Sequence, residues 1–326
     1  MKNGNKKTQF YSVSIKVVIF ILLAFALYKQ LIDNNQLRDV SAQLKLQVQN
    51  NGITLIIISF ILMFFNWGLE ALKWKFLMDK LTPVPFIRAF KAVWTGITLG
   101  LFTPNRIGEY GGRILYLPKK FRIKGIIGSL IGSYSQILAT LFMGIIAMII
   151  FMHEKQNFES FIFIIITVLS VMLMIVLTLA YYNLDVVINL FIKIKMFRRI
   201  QPYLDVLYAY HTSAYTKYFL LSLTRYAVYT AQYLIFLRLF GVSLHVVEGV
   251  TVVGVIFLAQ TIFPSFAVAE LLARGNIAVY FLNYYDDNDF AAIASSTCMW
   301  ILNLIIPAVL GYIFILRYNF FKNKNQ

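Results

Sequence analysis

Runs of about 20 apolar residues recur at 17–32, 53–72, 126–152, 160–182, 216–240 and 291–316, and they limit what this chain can become. A run of that length crosses the roughly 30 Å hydrocarbon core of a bilayer as a helix. Backbone polar groups at that depth have no water to bond, and a helix satisfies them within the segment. The composition agrees: 326 residues that are 60% hydrophobic and 13% charged hold more apolar surface than one soluble core hides. The expected fold is an all-α polytopic membrane protein, one integral domain over 1–326 with about six transmembrane helices. Lys2, Lys6, Lys7 and Lys16 precede the first run as they would a signal peptide. The run continues as "LLAFALYKQLI" without a small-residue cleavage site, which predicts a retained helix.

A net charge of +16 raises the question of nucleic acid, and the placement of the charges answers it. Most of the 30 Lys and Arg residues fall in segments 2–16, 73–91, 119–124, 193–217 and 317–324, accompanied by Asp79, Asp185 and Asp205. The alternate segments are acidic, among them the "YYDDNDF" loop. This is the positive-inside bias of a multi-pass protein of the cytoplasmic membrane with both termini in the cytoplasm. The basic segments then face anionic lipid, and no nucleic-acid partner is expected. The single cysteine, Cys298, lies within the last span and excludes disulfides and Cys-based metal sites within one chain. Self-association is left open.

Between the spans at 53–72 and 126–152 lies "GLFTPNRIGEYGG", residues 100–112, in a segment too apolar for a loop and too interrupted for a span. "AFKAVWTGITLGLF" would reach only about 21 Å as helix. Pro104 cannot continue it, and Gly96, Gly100 and Gly108 weaken the helix on either side. Basic clusters flank both ends, so residues 89–117 are expected to form a re-entrant hairpin that opens to the cytoplasm. The pattern repeats in "TIFPSFAVAELLARG", where Pro264, Glu270 and Arg274 follow the order of Pro104, Glu109 and Arg113. A second hairpin is expected over 246–283, opening to the outside, and two full crossings there would leave the parity unchanged. The halves 1–152 and 160–318 then form an inverted repeat, a plan in which broken helices meet near the bilayer midplane. Segment 183–215 reads as a cytoplasmic amphipathic stretch on the membrane surface.

A charge at membrane depth costs about 2.5–3.5 kcal/mol, so each one is a candidate for function. Arg106, Glu109 and Arg113 are spaced three and four apart, which on a helix starting after Pro104 places them on one face. Glu270 and Arg274 repeat the spacing of four, and Arg225 lies in the fifth run. Cations outnumber acids in this set, and the helix end after Pro104 adds positive potential. The set, with Asn105 beside it, suits an anionic headgroup such as a phosphate. Pro104, Gly108 and Pro264 are the expected hinges. Asn66, Glu70 and Lys73 share a face near one end of their helix, with no role distinguished by sequence. Asp286, Asp287 and Asp289 could hold a metal, although an acidic outer loop accounts for them. The histidines at 153, 211 and 245 are too scattered for a metal set, and no cofactor is expected.

The motifs "FTPNRIGEYGGR" (102–113), "EALKWKFLM" (70–78) with "VPFIRAF" (84–90), and "FPSFAVAE" (263–270) resemble the lysylphosphatidylglycerol synthase-type transmembrane, or flippase-like, family across nearly the whole chain. Ser265, Phe266 and Ala267 stand where family members carry a glycine-rich stretch. The resemblance implies a lipid flippase-like membrane region, which in the best-known members is joined to a cytoplasmic aminoacyl-transfer domain. Only nine residues follow Arg317, so that domain is expected to be absent and a transporter-like rather than enzymatic role is implied. The implied ligand is an anionic phospholipid or a polyprenyl-phosphate lipid. Some relatives are linked to dolichol-linked sugar transfer, so a membrane glycosyltransferase is one alternative and a non-transporting accessory protein another.

Overall fold

The computed structural model describes residues 52–155, 160–192, 201–262 and 267–318, with Val18, Ile21 and Lys45 as isolated helical positions. Apart from Val18 and Ile21, the expected first span lies outside the described residues. Those residues form helices and no strand. In chain order the helices are α1 (Ile53–Met78), α2 (Phe86–Gly100), α3 (Gly108–Ile114), α4 (Arg122–Lys155), α5 (Ser160–Tyr182) and α6 (Leu184–Ile192). They continue with α7 (Gln201–Leu204), α8 (Thr212–Leu239), α9 (Val246–Ile262), α10 (Ala267–Leu282), α11 (Asp289–Trp300) and α12 (Ile306–Arg317). Segments Ile53–Met78, Lys119–Glu154, Phe161–Tyr182 and Asp289–Arg317 are long and apolar enough to cross a membrane. The protein is a polytopic α-helical membrane protein.

The expected span at 216–240 is also helical, as α8, 28 residues and about 42 Å long. Its apolar character is diluted because Ser222, Arg225, Thr230 and Gln232 are buried inside the bundle rather than turned to lipid. Its neighbour α5 is the opposite case, apolar all round and exposed along its length, as a lipid-facing helix is. α11 and α12 form one rod with a π-helical turn, Ile301–Ile305, at its middle. Pro307 explains the turn: it lacks the N–H that would bond the Asn303 carbonyl, and its ring crowds that carbonyl.

Within 89–117, where a re-entrant hairpin is expected, α2 and α3 pack against each other across a broken turn. The approach is close enough that a Cβ on Gly112 would lie 2.6 Å from Gly96 Cα, so neither leg could carry a larger residue there. Trp94 anchors the outer side of α2, its ring 5.7 Å from Phe64 of α1, 4.7 Å from Phe90 and 6.3 Å from Phe314 of α12. Thr98 Oγ1 donates to Ala308 O at 2.7 Å, which fixes α2 on α12. On the other side of the molecule α9 packs on α4 through Val255, Ala147 and Phe151.

The long helix α4, about 51 Å by its 34 residues, separates two chemically distinct ends. At the basic end, where α4 begins with Arg122, lie the start of α2, the end of α3 and the end of α12, tied by a 2.6 Å bond from Tyr318 Oη to Leu115 O. At the acidic end, Tyr285 Oη donates to Glu154 Oε2 at 3.1 Å, joining the end of α4 to the loop after α10. Residues 183–215 form shorter pieces rather than one helix: α6, α7 and a 3-10 turn at Asp205–Ala209, with 193–200 outside the described residues. Val206, Leu207 and Tyr210 of that stretch are buried.

Candidate functional site

The broken turn at the tip of the first hairpin is built by backbone that a helix cannot use. Asn105 and Arg106 have φ of 50° and 56°, in the left-handed region, and a 3-10 turn runs Pro104–Arg106. Asn tolerates that conformation because its short polar side chain can bond locally, whereas Arg is held there by its surroundings. Thr103 closes the turn, its Oγ1 accepting from Gly108 N at 2.7 Å and donating to Gly100 O at 3.2 Å. Only glycine fits at 108, since a Cβ would lie 2.3 Å from Leu99 O. One expectation needs correction here. α3 begins at Gly108, not after Pro104, so Arg106 does not share a helix face with Glu109 and Arg113, and a seven-residue helix offers no separate anion site at its start.

Arg106 nevertheless lines the same cavity as those two. This space, ≈ 430 Å³, lies between the first hairpin, α1, α4, α8, α9, α10 and the π-helical turn. Arg106, Glu109, Arg113, Arg225 and Arg274, drawn from three separate stretches of chain, all border it. Asn105 is exposed and is not among the lining residues. Glu270 lies in α10, but its side chain is outside the described residues, as is Pro264. From α9 the terminal residues Gln260 and Thr261, and from the middle of α10 Arg274, border the cavity.

Glu70 organises the charges. Its Oε1 pairs with Arg113 Nη1 at 2.9 Å, its Oε2 with Lys73 Nζ at 3.0 Å, and Oε2 also takes Arg225 Nη1. Arg113 in turn spans to Glu109 through Nη2. Arg225 is held further by Asn66 Oδ1 at 3.0 Å and Gln136 Oε1 at 2.9 Å, with Trp67 stacked over its guanidinium at 5.4 Å. Lys73 Nζ also donates to Ser222 Oγ at 3.1 Å, and Arg274 Nη1 to Gln260 Oε1 at 3.2 Å. Buried charges survive only when paired and hydrogen-bonded, and this network supplies both. The balance is still cationic: the described lining carries Arg106, Arg113, Arg225, Arg274 and Lys73 against Glu70 and Glu109. Counting Glu270 as well would leave more cations than carboxylates.

Sequence reasoning placed Glu70 and Lys73 on a common face but missed that Glu70 is the hub. It missed Gln136, Ser222 and Gln260 altogether, because uncharged polar residues in an apolar run carry no distinguishing signal. The aspartates of the loop after α10 do not join the site. Asp289 Oδ1 accepts from Asn283 Nδ2 at 2.8 Å in the loop at the acidic end, and among the described residues no three His, Cys, Asp or Glu side chains cluster to hold a metal.

A buried, mainly cationic cavity between helices of a membrane protein is the setting in which a lipid headgroup would be handled, and the sequence matches the Lysylphosphatidylglycerol synthase TM region family over residues 13–311. The chain belongs to this family. Membership makes it a membrane protein of lipid-related function, and the matched region contains α1 to α11 and every lining residue of the cavity. No curated protein and no solved structure matches the chain.

Proposed function

We propose that this family member translocates an anionic phospholipid or polyprenyl-phosphate lipid across the cytoplasmic membrane, passing the headgroup through the cavity. The observation that carries the reading is the surplus of cations in a space bordered by the tip of the first hairpin and by α9 and α10. A phosphate brings the missing negative charge and several acceptor oxygens, and arginine binds it in a two-pronged geometry. Arg106, Arg113 and Arg274 contact the phosphate, Arg225 adds potential from behind, and Glu70 and Glu109 hold the arginines apart until it arrives.

The inverted repeat belongs to the same proposal and draws support from reciprocal packing. The first leg of one hairpin, α2, packs on the last helix of the other half, α12; the first leg of the other, α9, packs on the last helix of the first half, α4. The two hairpins have their bases at opposite ends of α4. Such an arrangement offers each leaflet an equivalent route to one central site.

The test is lipid translocation in proteoliposomes with a headgroup-labelled phosphatidylglycerol. Arg106→Gln and Arg274→Gln each remove one cavity cation while leaving the Glu70 network intact. Each is expected to slow translocation by about tenfold or more, the worth of a charge-assisted hydrogen bond. Rates equal to those of the parent protein, with folding unchanged, would remove the site from the mechanism.

A further inference from the structure

A second, separate pocket opens at the basic end, at the base of the first hairpin. It holds ≈ 260 Å³ and is lined by Arg88, Leu115, Tyr116, Leu117, Pro118, Lys119, Arg122 and Tyr318. It shares no residue with the central cavity. Its cations come from two stretches of chain: Arg88 from the first turn of α2, and Lys119 with Arg122 from the 3-10 turn Lys119–Phe121 and the first residue of α4. Among the described lining residues there is no carboxylate to neutralise them.

The walls are fixed. Tyr318 Oη donates to Leu115 O at 2.6 Å, Tyr116 Oη bonds Thr95 Oγ1 at 3.0 Å, and the two rings lie 5.3 Å apart. Arg122 Nε donates to Leu117 O at 3.4 Å, which leaves its terminal nitrogens for another acceptor or for solvent. Arg88 and Lys119 are exposed.

The turns that carry these cations also carry exposed apolar side chains. Phe86 and Ile87, next to Arg88, are 41% and 61% exposed, and Ile123, next to Arg122, is 46% exposed. Exposed apolar side chains on the same turns as these cations suit a ligand that is anionic at one end and hydrocarbon at the other. We infer that this pocket binds the headgroup of an anionic phospholipid from the leaflet at the basic end, with its acyl chains along Phe86, Ile87 and Ile123. The walls belong to both legs of the first hairpin, to α4 and to the end of α12, so a bound headgroup braces the base from which α3 presents Glu109 and Arg113. This holds whether or not the central cavity moves lipid.

The test uses the full chain in liposomes of phosphatidylcholine containing a phosphatidylglycerol with a photoreactive headgroup, with crosslinked peptides mapped by mass spectrometry. Crosslinks are expected on residues 115–122 and 318, suppressed by unlabelled phosphatidylglycerol and unaffected by inorganic phosphate. Arg88→Gln with Lys119→Gln spares Arg122 and its bond to Leu117, and is expected to lower labelling by about fivefold for each charge removed. Arg274→Gln, in the central cavity, is expected to leave it unchanged. The inference is overturned if the double variant labels like the parent. Equal competition by inorganic phosphate, or a loss in Arg274→Gln as large as in the double variant, overturns it too.

Discussion

Glu70 balances three cations on one carboxylate, so its loss differs in kind from the loss of any one of them. Removing one partner of a buried ion pair leaves an uncompensated charge, at a cost of about 3–5 kcal/mol. Glu70→Gln keeps the shape and is expected to destabilise by that amount, read as a large fall in the unfolding temperature of the detergent-solubilised protein. Lys73→Met, which leaves Glu70 two arginines, is expected to cost much less; equal losses would mean that Glu70 is not the hub. At the hairpin tip, Asn105 is held at φ 50°. Asn105→Gly is expected to be neutral or slightly stabilising, whereas Asn105→Val should cost about 1–2 kcal/mol because a branched Cβ is forced into the left-handed region. The same unfolding measurement separates the two.

At the scale of elements, the first hairpin shows what sequence could and could not reveal. Its broken turn was legible because Pro104 and several glycines interrupt an apolar stretch flanked by basic residues. The positive φ at Arg106 was not legible, so spacing alone wrongly put Arg106 on the helix face of Glu109 and Arg113. The charged members of the cavity were legible because each is costly in a membrane. The role of Glu70 was not, since its partners come from helices 43 and 155 residues away along the chain. The π-helical turn before Pro307 likewise depends on which residues pack around it. One consequence can be measured at this scale. Gly112→Val would push α3 away from Gly96, carrying Glu109 and Arg113 off Glu70. Translocation of labelled phosphatidylglycerol is expected to fall while helix content by circular dichroism stays constant. Unchanged transport would show that the close packing of the two legs does not set the site.

For the whole molecule, the reading depends on the two hairpins being approached from opposite faces of the membrane. Arg88 and Lys119 mark the two ends of the first hairpin, and Val246 and Asp287 the two ends of the second; all four are exposed. The buried Cys298 can be replaced by Ser so that each position carries the sole cysteine in turn. The positive-inside bias predicts a cytoplasmic basic end. A membrane-impermeant maleimide applied to intact cells should therefore label cysteines at 246 and 287, and should reach 88 and 119 only after permeabilisation. Each outcome bears on a different step. If 88 and 119 label from different faces, the first hairpin crosses the membrane outright and its tip cannot sit at mid-depth. If all four label from one face, the hairpins share an orientation and the inverted repeat fails, and with it the reason for expecting one central cavity to serve both leaflets. If the pairs separate but with the faces exchanged, the geometry stands and only the direction of the charge bias is wrong. The expected pattern leaves Arg106 and Arg274 approached from opposite sides of one cationic space, the arrangement that alternating access to a single lipid site requires.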